Sequence, residues 1–326
     1  VQRRAEDGSR GEQTLRDLVR LRQLPAAGLV SAALAVLVTG CATSTSRLGH
    51  EVDRIIAANP GKTIAVAYYD LRDGRTLLRN EHQSFHAAST MKVPVMFAVF
   101  EAITRGALKL DQPVRVRNEF TSIFDGSTFQ VDPKEDSDQE VYALVGTEVP
   151  LEYLVRRMIV RSSNLATNNV IELVGAKQVM ELMRRIGANE IRVLRGVEDQ
   201  KAFDAGMNNT TTAYDLMLIF RALGEHKGVS AEASAKMIEI LSAQEFNSAI
   251  PAGLPPGTHV AHKTGDITRI AHDAALVFAP DGSSYVLVVL TRGFEKHKDA
   301  NAVMADISRA IYSARAGEHP GRDLAR

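Results

Sequence analysis

From residue 48 onward the apolar positions fall into blocks of two distinct periods, and the order of the blocks outlines a fold. Leu48, Val52, Ile55 and Ile56 recur at helical spacing and Asn59-Pro60-Gly61 stops them, so a helix is predicted over 48–58. Residues 63–69 alternate and are rich in β-formers, and Asp73-Gly74 makes a tight turn into a second strand at 76–78. Near the other end, 274–279 and 285–290 are apolar strands joined by Pro280-Asp281-Gly282, and 300–316 reads as a closing helix. Between them helical periods dominate, over 93–107, 151–158, 164–174, 176–186, 213–223 and 231–241. The expectation is an α/β fold built from both chain ends (48–104 and 251–318) and interrupted by a helical part (105–250), with a cleft where the two meet. A tail follows at 319–326. Asp132, Glu135, Asp136, Ser137, Asp138 and Glu140 form a polar stretch that reads as a solvated loop.

The first forty residues differ in kind. The apolar run 26–40 follows Arg16, Arg20 and Arg22 and is short for a permanent span, so 1–40 reads as an export signal, with 1–15 an over-extended start. Cys41, the only cysteine, follows Val38-Thr39-Gly40, which resembles the bacterial lipoprotein signal; a buried thiol is the other reading. The resemblance implies a lipid anchor at Cys41, a spacer over 41–47, and a protein held on the periplasmic or extracellular face of the envelope. Ala42 in place of aspartate points to the outer membrane. One cysteine allows no intramolecular disulfide, so the fold must stand on its core.

Charge narrows the partners. The 326 residues carry 39 basic and 39 acidic side chains, with 45% hydrophobic residues and no run of like charge. That balance fits an enzyme-sized globular body and offers no basic surface for nucleic acid.

Three short strings carry the candidate chemistry. Ser89-Thr90-Met91-Lys92 stands at a predicted helix start, where the lysine follows the serine by one turn and the free N–H groups can support a developing oxyanion. Desolvated beside a second ammonium, Lys92 could serve as a base. Ser162-Ser163-Asn164 precedes the next helix, so Ser162 and Asn164 leave the same side of a turn, suited to proton relay and to holding an amide carbonyl. Lys263-Thr264-Gly265 lies on an edge-side strand, where the glycine admits a close backbone approach and Lys263 can meet a carboxylate. Alone, the first two also fit a capping serine beside a surface residue. The three in this order are far more specific.

In this arrangement the chain resembles the class A β-lactamases and their penicillin-binding relatives. Phe85, Ala88, Asn168 and Asn209-Thr210-Thr211-Thr212 match further landmarks of that family, and the resemblance runs from about 48 to 316. It implies an αβα sandwich, an antiparallel sheet with flanking helices, plus an all-helical domain and an active site in the cleft between them. It implies acylation of Ser89 by a β-lactam, a relay of Lys92 and Ser162, and substrate binding by Asn164, Lys263, Thr264, Gly265 and Asp266. The N–H groups of Ser89 and Asp266 would form the oxyanion hole, and Glu198 would activate the hydrolytic water, with Asp199 as the neighbouring alternative. A monomer without cofactor or metal is expected; His82 and His86 are four apart but sit in a loop.

The chain also departs from the family. Ala202 replaces the asparagine four residues after the glutamate, and the 195–209 loop is slightly short. Ser163 and Asn209 replace aspartates, so the loop is expected to be more mobile. His272 falls near a carboxylate-binding arginine, with Arg269 or Arg292 as substitutes. An aromatic-bearing segment, 119–131, is inserted at the cleft rim. These departures keep two other readings open: a penicillin-binding cell-wall peptidase or serine esterase that deacylates slowly, and a silent lipoprotein that binds peptidoglycan.

Overall fold

A computed structural model of the chain describes residues 48–317. Cys41, the segment before it, the 41–47 spacer and the 319–326 tail lie outside the described residues. The described chain opens with helix α1 (48–57), strand β1 (Thr63–Asp70) and strand β2 (Thr76–Arg79). Helices α2 (Lys92–Thr104), α3 (Leu151–Val160), α4 (Asn164–Val174), α5 (Ala176–Ile186), α6 (Gln200–Asp204), α7 (Ala213–Gly224) and α8 (Ala231–Ser242) follow. Strands β3 (His259–Ile267), β4 (Ile270–Phe278) and β5 (Ser284–Arg292) lead into the closing helix α9 (His297–Gly317).

The strands make one antiparallel sheet in the order β2-β1-β5-β4-β3. Pairing of β1 with β5, from Thr63↔Arg292 to Asp70↔Tyr285, joins the two chain ends as the sequence predicts. β3, which carries Lys263, is an edge strand.

Side-chain alternation assigns each strand to two cores. Ala65 and Ala67 of β1, with Val286, Val288 and Leu290 of β5, pack toward the helices. Ile64, Val66 and Tyr68, with Tyr285, Leu287 and Val289, join α1 and α9 in a second cluster. Because both faces are covered, β1 is buried almost without interruption rather than on the one face that an alternating pattern over 63–69 implies. The closing helix is pinned by Arg315, whose buried guanidinium reaches Asp70 Oδ2 at 2.9 Å, donates to Tyr68 Oη, and lies over the Tyr285 ring.

α2 is buried from Lys92 through Phe100 without interruption, so it has no solvent face in its first half. It packs against α3, α4, α5 and α8, which sets it within the helical body although the sequence groups it with the sheet.

The acidic stretch departs from its expectation as a solvated loop: Asp136 and Asp138 are both buried. Asp138 sits under the forked guanidinium of Arg157, and Asp136 accepts from the first turn of α4. Buried carboxylates persist when such donors satisfy them. The inserted segment is likewise ordered, as a small hairpin in which Phe120 pairs with Phe129 and Thr121 with Thr128. The short α6 was not visible as a period; Asp199 caps it by accepting from Ala202 N at 3.1 Å.

Candidate active site

Ser89 lies in a 3-10 turn, Ala88–Met91, just before α2 rather than in the helix itself. Ala88 is held at φ +45°, a left-handed conformation that costs a non-glycine residue about 1–3 kcal/mol. Its surroundings hold it there: Ala88 N–H donates to His86 Nδ1 (3.1 Å), Ala87 N–H to Asn209 O (2.9 Å), and Thr90 Oγ1 to Ala87 O (2.6 Å). Edge strand β3 then passes directly against the turn. A Cβ on Gly265 would fall 2.8 Å from both Ser89 N and Thr90 N, so only glycine permits the approach. The Ser89 N–H is thereby set against β3 at the residue before Asp266, where a second donor is needed for an oxyanion.

Two lysines converge beside it. Lys92 is fully buried, and its Nζ donates to Ser162 O (2.5 Å), Asn164 Oδ1 (2.9 Å) and Ser162 Oγ (3.2 Å). Lys263, also fully buried, donates to Ser162 Oγ (3.0 Å) and Thr264 O (2.9 Å). Burial pushes Lys92 down to about 8, against the opposing charges of Asp136, Glu198 and Asp266. Burial and then the Lys92 charge push Lys263 well below the usual lysine range. Ser162, itself left-handed at φ +59°, accepts from both and keeps its own hydroxyl proton to donate.

Asn164 links this pair to Glu198. Its Oδ1 accepts from Lys92, and its Nδ2 donates to Glu198 Oε1 at 2.7 Å. Glu198 Oε2 accepts from Asp132 N–H at 3.0 Å, so both carboxylate oxygens are held. Burial raises the Glu198 pKa above its ordinary value, although these two hydrogen bonds oppose the shift. Of the residues proposed from sequence, Lys92, Ser162, Asn164, Glu198 and Lys263 thus form one hydrogen-bonded array, with Ser89 one helical turn before Lys92.

The loop that bears Glu198 is more firmly tied than its sequence suggests. Asn168 accepts from Val197 N (2.7 Å) and donates to Val197 O (3.0 Å). A Cβ on Gly196 would fall 2.2 Å from Asn168 Oδ1, so any side chain there would displace the Asn168 amide that ties Val197. At the loop base Asn209 accepts from Leu194 N (2.8 Å) and donates to Arg195 O (3.0 Å), while Arg195 donates to Met207 O (3.0 Å). An amide thereby closes the loop through backbone groups without an ion pair. Asp199 is spoken for as well: beyond capping α6 it accepts from Ser122 Oγ (2.8 Å) and Ile123 N (3.0 Å), which binds the rim hairpin. Those bonds turn Asp199 toward the rim hairpin, whereas Glu198 meets the Lys92–Asn164 pair. Ala202 is buried and brings no polar side chain.

Other candidates fall outside the array. His272 is buried; its Nε2 bonds His86 O (3.0 Å), its Nδ1 accepts from Thr291 N (3.1 Å), and burial lowers its pKa to about 4. It is a neutral brace behind the Ser89 turn. Arg292 stacks on Phe85, and Arg269 pairs with Glu295. The Asp266 side chain is exposed, and His82 pairs with Glu190. Sequence reasoning missed Asp136 and the Asp132 N–H, whose acidic run gave no local sign that it folds over the site.

A serine turn, two buried lysines bridged by a serine hydroxyl, and a carboxylate anchored at both oxygens define a serine hydrolase. The comparisons agree: a model of the beta-lactamase enzyme family matches residues 47–314, and the chain belongs to that family. The extended-spectrum beta-lactamase PER-1 of Pseudomonas aeruginosa is 23% identical over 301 residues, covering 87% of this chain and 94% of the relative. Among solved structures, a beta-lactamase from Sphaerobacter thermophilus DSM 20745 is similar at 25% identity and TM-score 0.69, covering 82% of this chain and 97% of the other. A variant of PBP-A, solved as its acyl-enzyme complex with penicillin G, is similar at 24% identity and TM-score 0.70, covering 83% and 97%.

Proposed function

We propose that the protein is a class A serine β-lactamase that hydrolyses the β-lactam amide through an ester on Ser89. Neutral Lys92 takes the Ser89 hydroxyl proton as the oxygen attacks the lactam carbonyl. The Ser89 and Asp266 N–H groups carry the oxyanion, each worth on the order of a hundredfold in rate. Ser162, fed by the two lysines on its oxygen, passes a proton to the departing ring nitrogen. Lys263 and Thr264 hold the substrate carboxylate, Asn164 and Gly265 line its path, and no metal or cofactor takes part. Glu198 then removes a proton from water, which attacks the ester, and Ser89 is regenerated.

The observation that carries this reading is the double anchoring of Glu198 by Asn164 and Asp132, which orients a carboxylate beside the acylation array. A chromogenic cephalosporin with intact-mass readout tests it on wild type, Ser89→Ala and Glu198→Gln. Turnover by wild type, silence of Ser89→Ala and an accumulating adduct on Glu198→Gln are expected; a wild type that never forms a Ser89 ester would overturn the reading.

Ala202 motivates a second reading, a penicillin-binding peptidase or esterase that releases the adduct slowly. It requires a stable wild-type adduct unaffected by Glu198→Gln. From the sequence we also infer a lipid anchor at Cys41, an envelope location outside the cytoplasm and a monomeric state. Metabolic labelling with a palmitate analogue, lost in Cys41→Ala, tests the anchor.

A further inference from the structure

We propose that Asp136 is a positioning residue of this site, holding Ser162, Asn164 and, through Asn164, the Glu198 carboxylate in working geometry. The inference deepens the acyl-enzyme reading and rests on it. Asp136 Oδ2 accepts from Asn164 N (2.9 Å), Leu165 N (2.9 Å), Tyr142 Oη (3.1 Å) and Ser163 Oγ (3.3 Å), and Oδ1 accepts from Asp138 N (3.1 Å). The two backbone donors belong to the first turn of α4, where N–H groups lack helical partners and an anion is favoured. Asn164 is therefore gripped at its backbone by Asp136 and at its side chain by Lys92 and Glu198.

The segment that delivers Asp136 is itself fixed on both sides. Asp132 N–H holds Glu198 Oε2, Ser137 Oγ donates to Arg161 O (2.6 Å), and Asp138 lies under Arg157 of α3. Ser163, where the family resemblance would place an aspartate, is occupied with capping α4 through Ala166 N (3.1 Å). The carboxylate at this helix start thus comes from a distant part of the chain. The titratable groups that feel its charge are Lys92, Glu198 and the Tyr142 hydroxyl, and on its own segment it is flanked by Asp138, paired with Arg157, and by Asp132. Its charge favours protonated Lys92 and opposes ionised Glu198. Neutralising it moves both proton losses to lower pH.

The test compares wild type, Asp136→Asn, Asp136→Glu and the double variant Asp136→Asn with Ser163→Asp, by kcat and KM against pH, the acyl-enzyme fraction by mass, and Tm. Asp136→Asn is expected to lower kcat about tenfold or more, with the acid limb moved to lower pH. The double variant, which restores a carboxylate one residue before Asn164, is expected to recover rate and to move the limb back. Wild-type turnover beside an Asp136→Asn protein with unchanged kcat and an unmoved limb overturns the inference alone. Wild type that forms no Ser89 ester overturns the underlying reading as well. Should Asp136→Asn not fold, Asp136→Glu decides: lowered kcat with an unmoved limb supports the inference, and wild-type kcat overturns it.

Discussion

Lys92 and Lys263 aim their ammonium groups at one oxygen, Ser162 Oγ, from 3.2 and 3.0 Å. Both are fully buried, so each loses hydration, and the Lys92 charge further depresses Lys263. That arrangement makes a lysine base available near neutral pH and leaves a trace in stability.

In the unfolded chain a lysine titrates near 10.5, whereas Lys92 in the fold titrates at about 8. Below the lower value both states hold the proton and the cost of burial is present in full. Between the two values the unfolded state binds more protons, so this group's contribution makes the fold more stable as pH rises. Lys92→Met should remove that rise, by up to about 3 kcal/mol. Urea unfolding of both proteins on either side of the window measures it, and equal slopes would show that Lys92 is not depressed.

Gly265→Ala places a methyl group 2.8 Å from the backbone nitrogens of Ser89 and Thr90, neither of which can yield without moving the nucleophile. Displacement by a fraction of an ångström should slow acylation by about a hundredfold while deacylation of any ester formed changes less. Burst kinetics separate the two steps. An unchanged burst rate would mean that β3 does not set the position of Ser89.

Removing the Asp199 carboxylate strips an acceptor from Ser122 Oγ, Ile123 N and Ala202 N at once. Asp199→Ala should cost about 2–4 kcal/mol and loosen the rim hairpin, leaving Lys201 to tie it to the glutamate loop through Asp125 and Ser127. Chemical denaturation measures the loss. Limited proteolysis should cut near Phe124, which is already 56% exposed.

Glu198 gains protons more readily than an ordinary carboxyl because it is buried. As the base for water it is lost as pH falls through its raised pKa, so the acid limb of deacylation should lie above 4.5, the usual value. In Glu198→Gln that limb should vanish and the ester should persist across the range. Single-turnover decay of the adduct, followed by mass against pH, reads this directly.

Much of this was legible beforehand. The helices over 164–174 and 176–186 have the bounds their periods predict, because Ser163 and Gly175 punctuate them locally. Ser89, both lysines and Ser162 could be picked out as one cluster because each sits in a short string whose spacing follows from a turn or a strand. The tethering of the 195–209 loop was not legible: Asn209 holds it through backbone groups 14 and 15 residues away, and nothing near Asn209 records that. Asp136 was unreadable for the same reason, since its donors lie 28 and 29 residues downstream and an acidic run ordinarily faces water.

By itself the sequence determined which residues could do chemistry, and that the two chain ends share a sheet, because period and spacing are local properties of the chain. Only the tertiary structure decided what surrounds Glu198. Ala202 supplies no side-chain amide, and the groups that hold the carboxylate and its neighbour are the Asp132 N–H on Glu198 and the Asp136 carboxylate on Asn164. Hydrogen bonds between buried groups depend on position in space, so a segment that looks like a solvated loop becomes part of the site once it packs over the start of α4.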